Sequence, residues 1–182
     1  INNDISSTDL EKIKQILENI DIQLIRKDGN QIVLLNGKDV TKEIRTPKVD
    51  SEVAKFAAIK EIRDKVTPIQ QKMGEDLDII MEGRDIGTVV FPNADVKIFL
   101  DCSVEERARR RYKQNQEKGI NISYEEVLES IIKRHILETT REVAPLVQPK
   151  DAKYIDSTNM SIEEVVNTIV EIINAKKLEI EK

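Results

Sequence analysis

From residue 78 onward the chain alternates short apolar runs with long amphipathic ones, and this alternation constrains the fold more than any other feature. Strands are read at 78–82, 95–101 and 153–156, and helices at 103–118, 124–141 and 161–177. Strands alternating with crossover helices imply an α/β fold with a parallel sheet. Ser161-Ile162-Glu163-Glu164 opens the last helix with a capping-box pattern. The first apolar run, Ile79-Ile80-Met81-Glu82, ends in the charged turn Gly83-Arg84-Asp85-Ile86-Gly87. Folds of this class place their ligands beyond the carboxyl ends of such strands.

The first third reads differently. Leu10, Ile13, Ile16 and Leu17 recur at helical spacing, so residues 8–19 form an amphipathic helix. Two β-type runs flank Asp28-Gly29, and Asn36-Gly37 supplies a second turn, which together predict a small antiparallel meander. A helix follows from about Val49 to Met73, bent at Pro68 because proline removes a backbone donor. The simplest organisation is an α/β core carrying a small β-rich insertion.

Charge narrows the function. The chain has 182 residues, a net charge of −5, and 35% charged residues. A general nucleic-acid binder is usually basic, so no nucleic-acid partner is expected. The arginines cluster instead, at Arg107, Arg109, Arg110 and Arg111 and again at Arg134 and Arg141, which suits a small anion. Charge-rich helices are also commonly plain solvated faces. One cysteine, Cys102, allows no internal disulfide and fits a reducing cytoplasm. No apolar run reaches the ~18–20 residues of a membrane helix, so no membrane partner is expected.

Arg presents a planar fork of donors that matches phosphate oxygens in pairs and stays charged. Arg134 and Arg141 are two helical turns apart, with Glu138 between them on the same face. They could grip a phosphate ester while Glu138 accepts from a sugar hydroxyl, or form an intrahelical salt-bridge ladder. Asp85 could accept from the exocyclic amine of a base, or cap a turn. Many arginines with no nucleophile and base pair suit phosphoryl transfer between nucleotides, where the acceptor oxygen is already ionised.

Three blocks carry a resemblance. They are Ile44-Arg45-Thr46-Pro47-Lys48-Val49 through Ile62-Arg63; Glu82 through Pro92 with Lys97 through Asp101 and Glu105 through Ala108; and Arg134 through Arg141 with Ala144-Pro145-Leu146, Asp151-Ala152 and Ile155-Asp156-Ser157-Thr158. In these blocks the chain resembles the bacterial cytidylate kinases. The resemblance implies a P-loop NTPase-like parallel sheet flanked by helices, a β insertion that binds the monophosphate, and a helical lid. Residues 1–62 would hold a core edge and the insertion, with its meander at about 20–45, and residues 63–182 the α/β core with a lid at about 112–135. It implies transfer of the ATP γ-phosphate to CMP or dCMP with Mg2+, in a cytoplasmic monomer. By the same resemblance Arg63 and Asp85 read the cytosine edge, and Arg84 and Arg141 hold phosphates. Arg134 and Glu138 contact the ribose or lie near the transferred group, while Arg107 with Arg110 or Arg111 faces ATP.

Three departures stand out. Ala54 replaces the family's usual Ser beside the base, removing a hydrogen bond of ~0.5–1.5 kcal/mol. Glu138 replaces the usual Asp and reaches about one methylene further. No G-x-x-x-x-G-K-[ST] occurs in these residues, so the expectation is a fragment that lacks the family's N-terminal phosphate loop and has little or no kinase activity alone. A kinase for another monophosphate such as UMP, or a non-catalytic nucleotide-binding module, are the rival readings.

Overall fold

The structure, a computed structural model, describes residues 4–75 and 78–180. It is a mixed α/β chain that divides into two compact units. The first comprises Ile1–Gly83 with Arg141–Pro145, and the second Arg84–Thr140 with Leu146–Lys182.

In the first unit, helix α1 spans Leu10–Glu18, capped by the Asp9 carboxylate, and buries Ile13. The meander forms as read. Strand β1 (Ile22–Lys27) pairs antiparallel with β2 (Asn30–Leu35), and β2 with the short β3 (Lys38–Asp39). Both turns use two left-handed residues, Asp28 and Gly29 (φ 51° and 76°), then Asn36 and Gly37 (51° and 77°). Such turns match the twist of paired strands, and Asn-Gly and Asp-Gly accept them most readily. The Thr41 hydroxyl accepts from the Val33 amide at 2.9 Å, and Val40 is buried beneath the return.

The helix expected from Val49 to Met73 is two helices. A 3₁₀ turn at Glu43–Arg45 leads to α2, Pro47–Phe56, with Thr46 as cap and Pro47 in its first turn. Helix α3 spans Lys60–Lys72 and continues through Pro68 as one helical segment. The break falls at residues 57–59, where Ile59 turns extended (ψ 123°). No glycine or proline marks it. Instead the Arg141 guanidinium reaches the Ala57 carbonyl at 3.4 Å, 84 residues away in sequence, and supplies a cationic donor where the α2 carbonyls run out of partners.

In the second unit, β4 (Ile98–Asp101) and β5 (Lys153–Asp156) form a parallel ladder with Ile98 opposite Lys153 and Asp101 opposite Asp156. The strand expected at 95–101 is shorter, and among the described residues the one expected at 78–82 does not form: residues 78–82 have no ladder partner there, and Ile80 is 96% exposed. An apolar run becomes a strand only where its backbone groups find a partner. The chain then winds into a π-turn at Ile86–Val90. Helix α4 is Val104–Glu117, α5 Tyr124–Thr140 and α6 Ile162–Ile180. Capping boxes start α5 and α6: Ser123 with Glu126, and Ser161 with Glu164 as expected. Helix α4 ends at Gly119 (φ 69°), where Gly119 N–H bonds Gln116 O and Ile120 N–H bonds the carbonyl of the buried Asn115, a Schellman closure. Helices α4 and α5 pack as a hairpin, with the Tyr112 and Tyr124 rings edge to face at 6.1 Å. Among the described residues no helix is long and apolar enough to cross a membrane.

Candidate functional site

Two groups of candidate residues come together within the second unit. The first gathers around Glu138 on α5. Its side chain is 4% exposed, and each carboxylate oxygen takes one arginine: Arg134 Nε donates to Oε1 at 2.7 Å, and Arg84 Nε lies 2.9 Å from Oε2. The Arg134 pair is the one-turn helical pair that spacing allows. The Arg84 pair is long-range and was not legible. Arg141 does not continue this face, because α5 ends at Thr140. Beyond the helix its Nε and Nη2 donate to the Ala144 carbonyl within the first unit. The sequence reading placed Arg134, Glu138 and Arg141 on one helical face; the early end of α5 corrects it.

Arg84 is held at the start of the glycine-flanked turn. Asp85 beside it is buried, and its carbonyl accepts from Val89 N and Val90 N as the π-turn begins. Its carboxylate does not form the side-chain cap of this π-turn. A π-turn widens the backbone locally and recurs at functional sites. Gly87 is closely surrounded: a Cβ there would lie 3.1 Å from Pro149 Cγ and 3.4 Å from Lys97 Cδ. Lys97 cannot easily yield, because its ammonium is bound by Asp151 and by the Pro92 carbonyl.

The second group lies at the carboxyl ends of β4 and β5. Arg107 Nη2 bonds Asp101 Oδ1 at 2.7 Å and the Cys102 carbonyl at 3.1 Å. Arg110 bonds Glu106 Oε1 at 2.7 Å and the Ser157 carbonyl at 2.6 Å, with Ser157 Oγ at 3.2 Å. Ser157 is buried, and its hydroxyl donates to the Asp101 carbonyl, joining the two strand ends. Glu106 also takes Arg109 in two bonds, and the paired guanidiniums of Arg109 and Arg110 hold its carboxyl down at about 2. Arg111 is half-buried on the same helix. Spacing pointed to these arginines but not to their anchors Glu106, Asp101 and Ser157. The last two could have been found as polar residues ending parallel strands. A cavity of about 330 Å³ opens beside them, lined by Ser103, Glu106, Arg109, Tyr124 and Thr158 among others.

The remaining candidates belong to the first unit. Ala54 is buried on α2 and Arg63 is half-buried on α3. A larger concavity of about 550 Å³ on the meander, lined by Gln31, Thr41, Lys42 and Arg45 among others, includes none of the candidate residues. Among the described residues no group of three or more His, Cys, Asp or Glu side chains is placed to hold a metal ion.

A family model described as cytidylate kinase matches residues 1–175. The chain belongs to the cytidylate kinase family. It is 48% identical to the cytidylate kinase of Carboxydothermus hydrogenoformans, over 97% of this chain and 79% of that protein. It is 46% identical to that of Bacillus subtilis, over 93% of this chain and 75% of the relative. The cytidylate kinase of Thermosipho africanus is 49% identical over the same two shares. Membership of the cytidylate kinase family places the chain among the kinases with a P-loop NTPase-like fold. The arginine pair on Glu138 and the arginines at the strand ends are therefore features of a cytidylate kinase family chain.

Proposed function

We propose that the protein transfers the γ-phosphate of ATP to CMP or dCMP, giving CDP or dCDP. The observation that carries this reading, within a cytidylate kinase family chain, is the pair of half-exposed guanidiniums held on the enclosed Glu138 carboxylate. An ionised acceptor phosphate needs no catalytic base. It needs its charge neutralised and its oxygen aligned, and arginine forks do both.

Arg84 and Arg141 are assigned to the acceptor phosphate and Arg134 to the neighbourhood of the transferred group. Asp85 and Arg63 are assigned to the cytosine edge, with Ala54 at the position beside the base. On the donor side we assign Arg107, Arg110 and Arg111 to ATP. The anchored geometry of Arg107 and Arg110 at the sheet edge supports this, because a guanidinium already fixed loses less freedom on binding. Mg2+ comes with ATP as part of the donor. The meander at about 20–45 is read as the monophosphate-binding insertion and about 112–135 as the lid, in a cytoplasmic, monomeric enzyme with no nucleic-acid or membrane partner.

The test is titration calorimetry with CMP, dCMP, UMP and AMP, followed by a coupled ADP-release assay with the same four. CMP and dCMP are expected to bind ~10-fold or more tighter than UMP and AMP, since a carboxylate accepts from the cytosine amine and leaves the uracil oxygen unpaired. Preference for UMP would replace the cytidylate reading. CMP-dependent ADP release would separate an enzyme from a simple nucleotide binder.

A further inference from the structure

Lys97, the residue before β4, is enclosed: its side chain is 8% exposed, whereas the Asp151 carboxylate that it meets is 65% exposed. A lysine is rarely enclosed unless it is paired, and hiding an ammonium costs much of what the pairing returns. Such a pair adds little to stability over an apolar side chain of similar volume. What it adds is direction, because the ammonium has to meet its acceptors in place. Here the acceptors come from two segments. Both Asp151 oxygens accept, at 3.0 and 2.7 Å, and so does the Pro92 carbonyl. Asp151 lies just before β5, and Pro92 just after the π-turn. The carbonyl of Lys97 accepts from the Lys153 amide at 2.9 Å. One residue therefore fastens the exit of the π-turn to the start of the parallel ladder.

The path from that exit back to Arg84 and Asp85 is short. The Phe91 amide donates to the Ile86 carbonyl at 2.7 Å, and the Val90 amide to the Asp85 carbonyl at 3.3 Å. The Lys97 stem also lies against Gly87, where a Cβ would be 3.4 Å from its Cδ and 3.7 Å from its Cγ. The same side chain thus holds the turn at its far end and along its middle. We propose that Lys97, with Asp151 as its anchor, is a positioning residue for the acceptor nucleotide: it fixes the π-turn so that Asp85 meets the cytosine edge and Arg84 the acceptor phosphate. This rests on the assignment of Asp85 and Arg84 to those two groups.

The test measures CMP and UMP binding by titration calorimetry on the wild-type chain, Lys97→Met and Asp151→Ala, with Ser161→Ala as a control that removes the α6 cap. Lys97→Met is expected to weaken CMP by ~10-fold or more and UMP by less, so that the preference for cytosine narrows. Asp151→Ala should lose affinity in the same direction, and the double variant should lose no more than Lys97→Met alone. A role in stability alone would lower the melting temperature, as Ser161→Ala does, and leave both affinities at wild-type values; that result would overturn the proposal. Where Lys97→Met does not fold, Asp151→Ala decides, because its carboxylate is largely exposed, and unchanged affinities there would overturn the proposal. Amide exchange needs no ligand. The amides of Val89, Val90 and Phe91 should quicken by ~10-fold or more in Lys97→Met while α6 keeps its wild-type rates. Uniform quickening, or none, would count against the clamp and sink it. If the wild-type protein showed no preference for CMP over UMP, the assignment of Asp85 would fall instead, and exchange would still decide whether Lys97 holds the turn.

Discussion

Glu106 shows how one carboxylate can order a stretch of helix. It accepts from Arg109 twice and from Arg110 once, and Arg110 in turn reaches Ser157 at the end of β5. The two guanidiniums lower its pKa from 4.5 to about 2. A group whose folded pKa is depressed stabilises the fold fully above its unfolded value and ceases to do so as pH falls through the folded value. Melting temperatures of wild type and Glu106→Gln are therefore expected to differ most above pH 4.5 and to converge toward pH 2. A difference that stayed constant across that window would show that the charge is not what orders the cluster. The residue scale also separates two kinds of glycine. Gly87 has ordinary backbone angles and little room, whereas Gly119 has ample room and a left-handed backbone.

At the scale of elements, Gly119 closes α4 and sets the direction of the turn into α5. Replacing it with Ala adds no clash but places a Cβ in the left-handed region, at a cost of about 1–2 kcal/mol. Chemical denaturation of Gly119→Ala should show that loss, and Gly119→Asn should recover part of it. The elements that sequence revealed are those whose signals are local. The Asp28-Gly29 and Asn36-Gly37 turns, the Ser161–Glu164 cap and the long helices each need only neighbouring residues. What sequence could not reveal depends on distant partners. The break after α2 is met by Arg141, and Ile79-Ile80 carries an apolar pattern without a ladder to join. The candidate site divides the same way. Arg134 and Glu138 were paired by helical spacing, but the joining of Arg84 to Glu138, and of Arg110 to Ser157, is tertiary.

For the whole molecule, the decisive fact is that the first unit is discontinuous in sequence. It includes Arg141–Pro145, and Arg141 supplies hydrogen bonds to both Ala144 and Ala57. Arg141→Met should thus loosen a helix end far from it in sequence. Amide exchange at the carboxyl end of α2 is expected to quicken by roughly fivefold or more, as for the loss of about 1 kcal/mol. Exchange in α6, which belongs to the other unit, should stay unchanged; uniform quickening would indicate a global loss of stability instead.

That discontinuity also sets an order of events during synthesis. Residues 1–83 leave the ribosome well before Arg141 does, and α4 and α5 are made in between. At about 5–20 residues per second this interval lasts several seconds. Throughout it the newborn α2 must wait with the Ala57 carbonyl beyond its end turned to water, so the first unit cannot be finished until residues 84–140 of the second have been made.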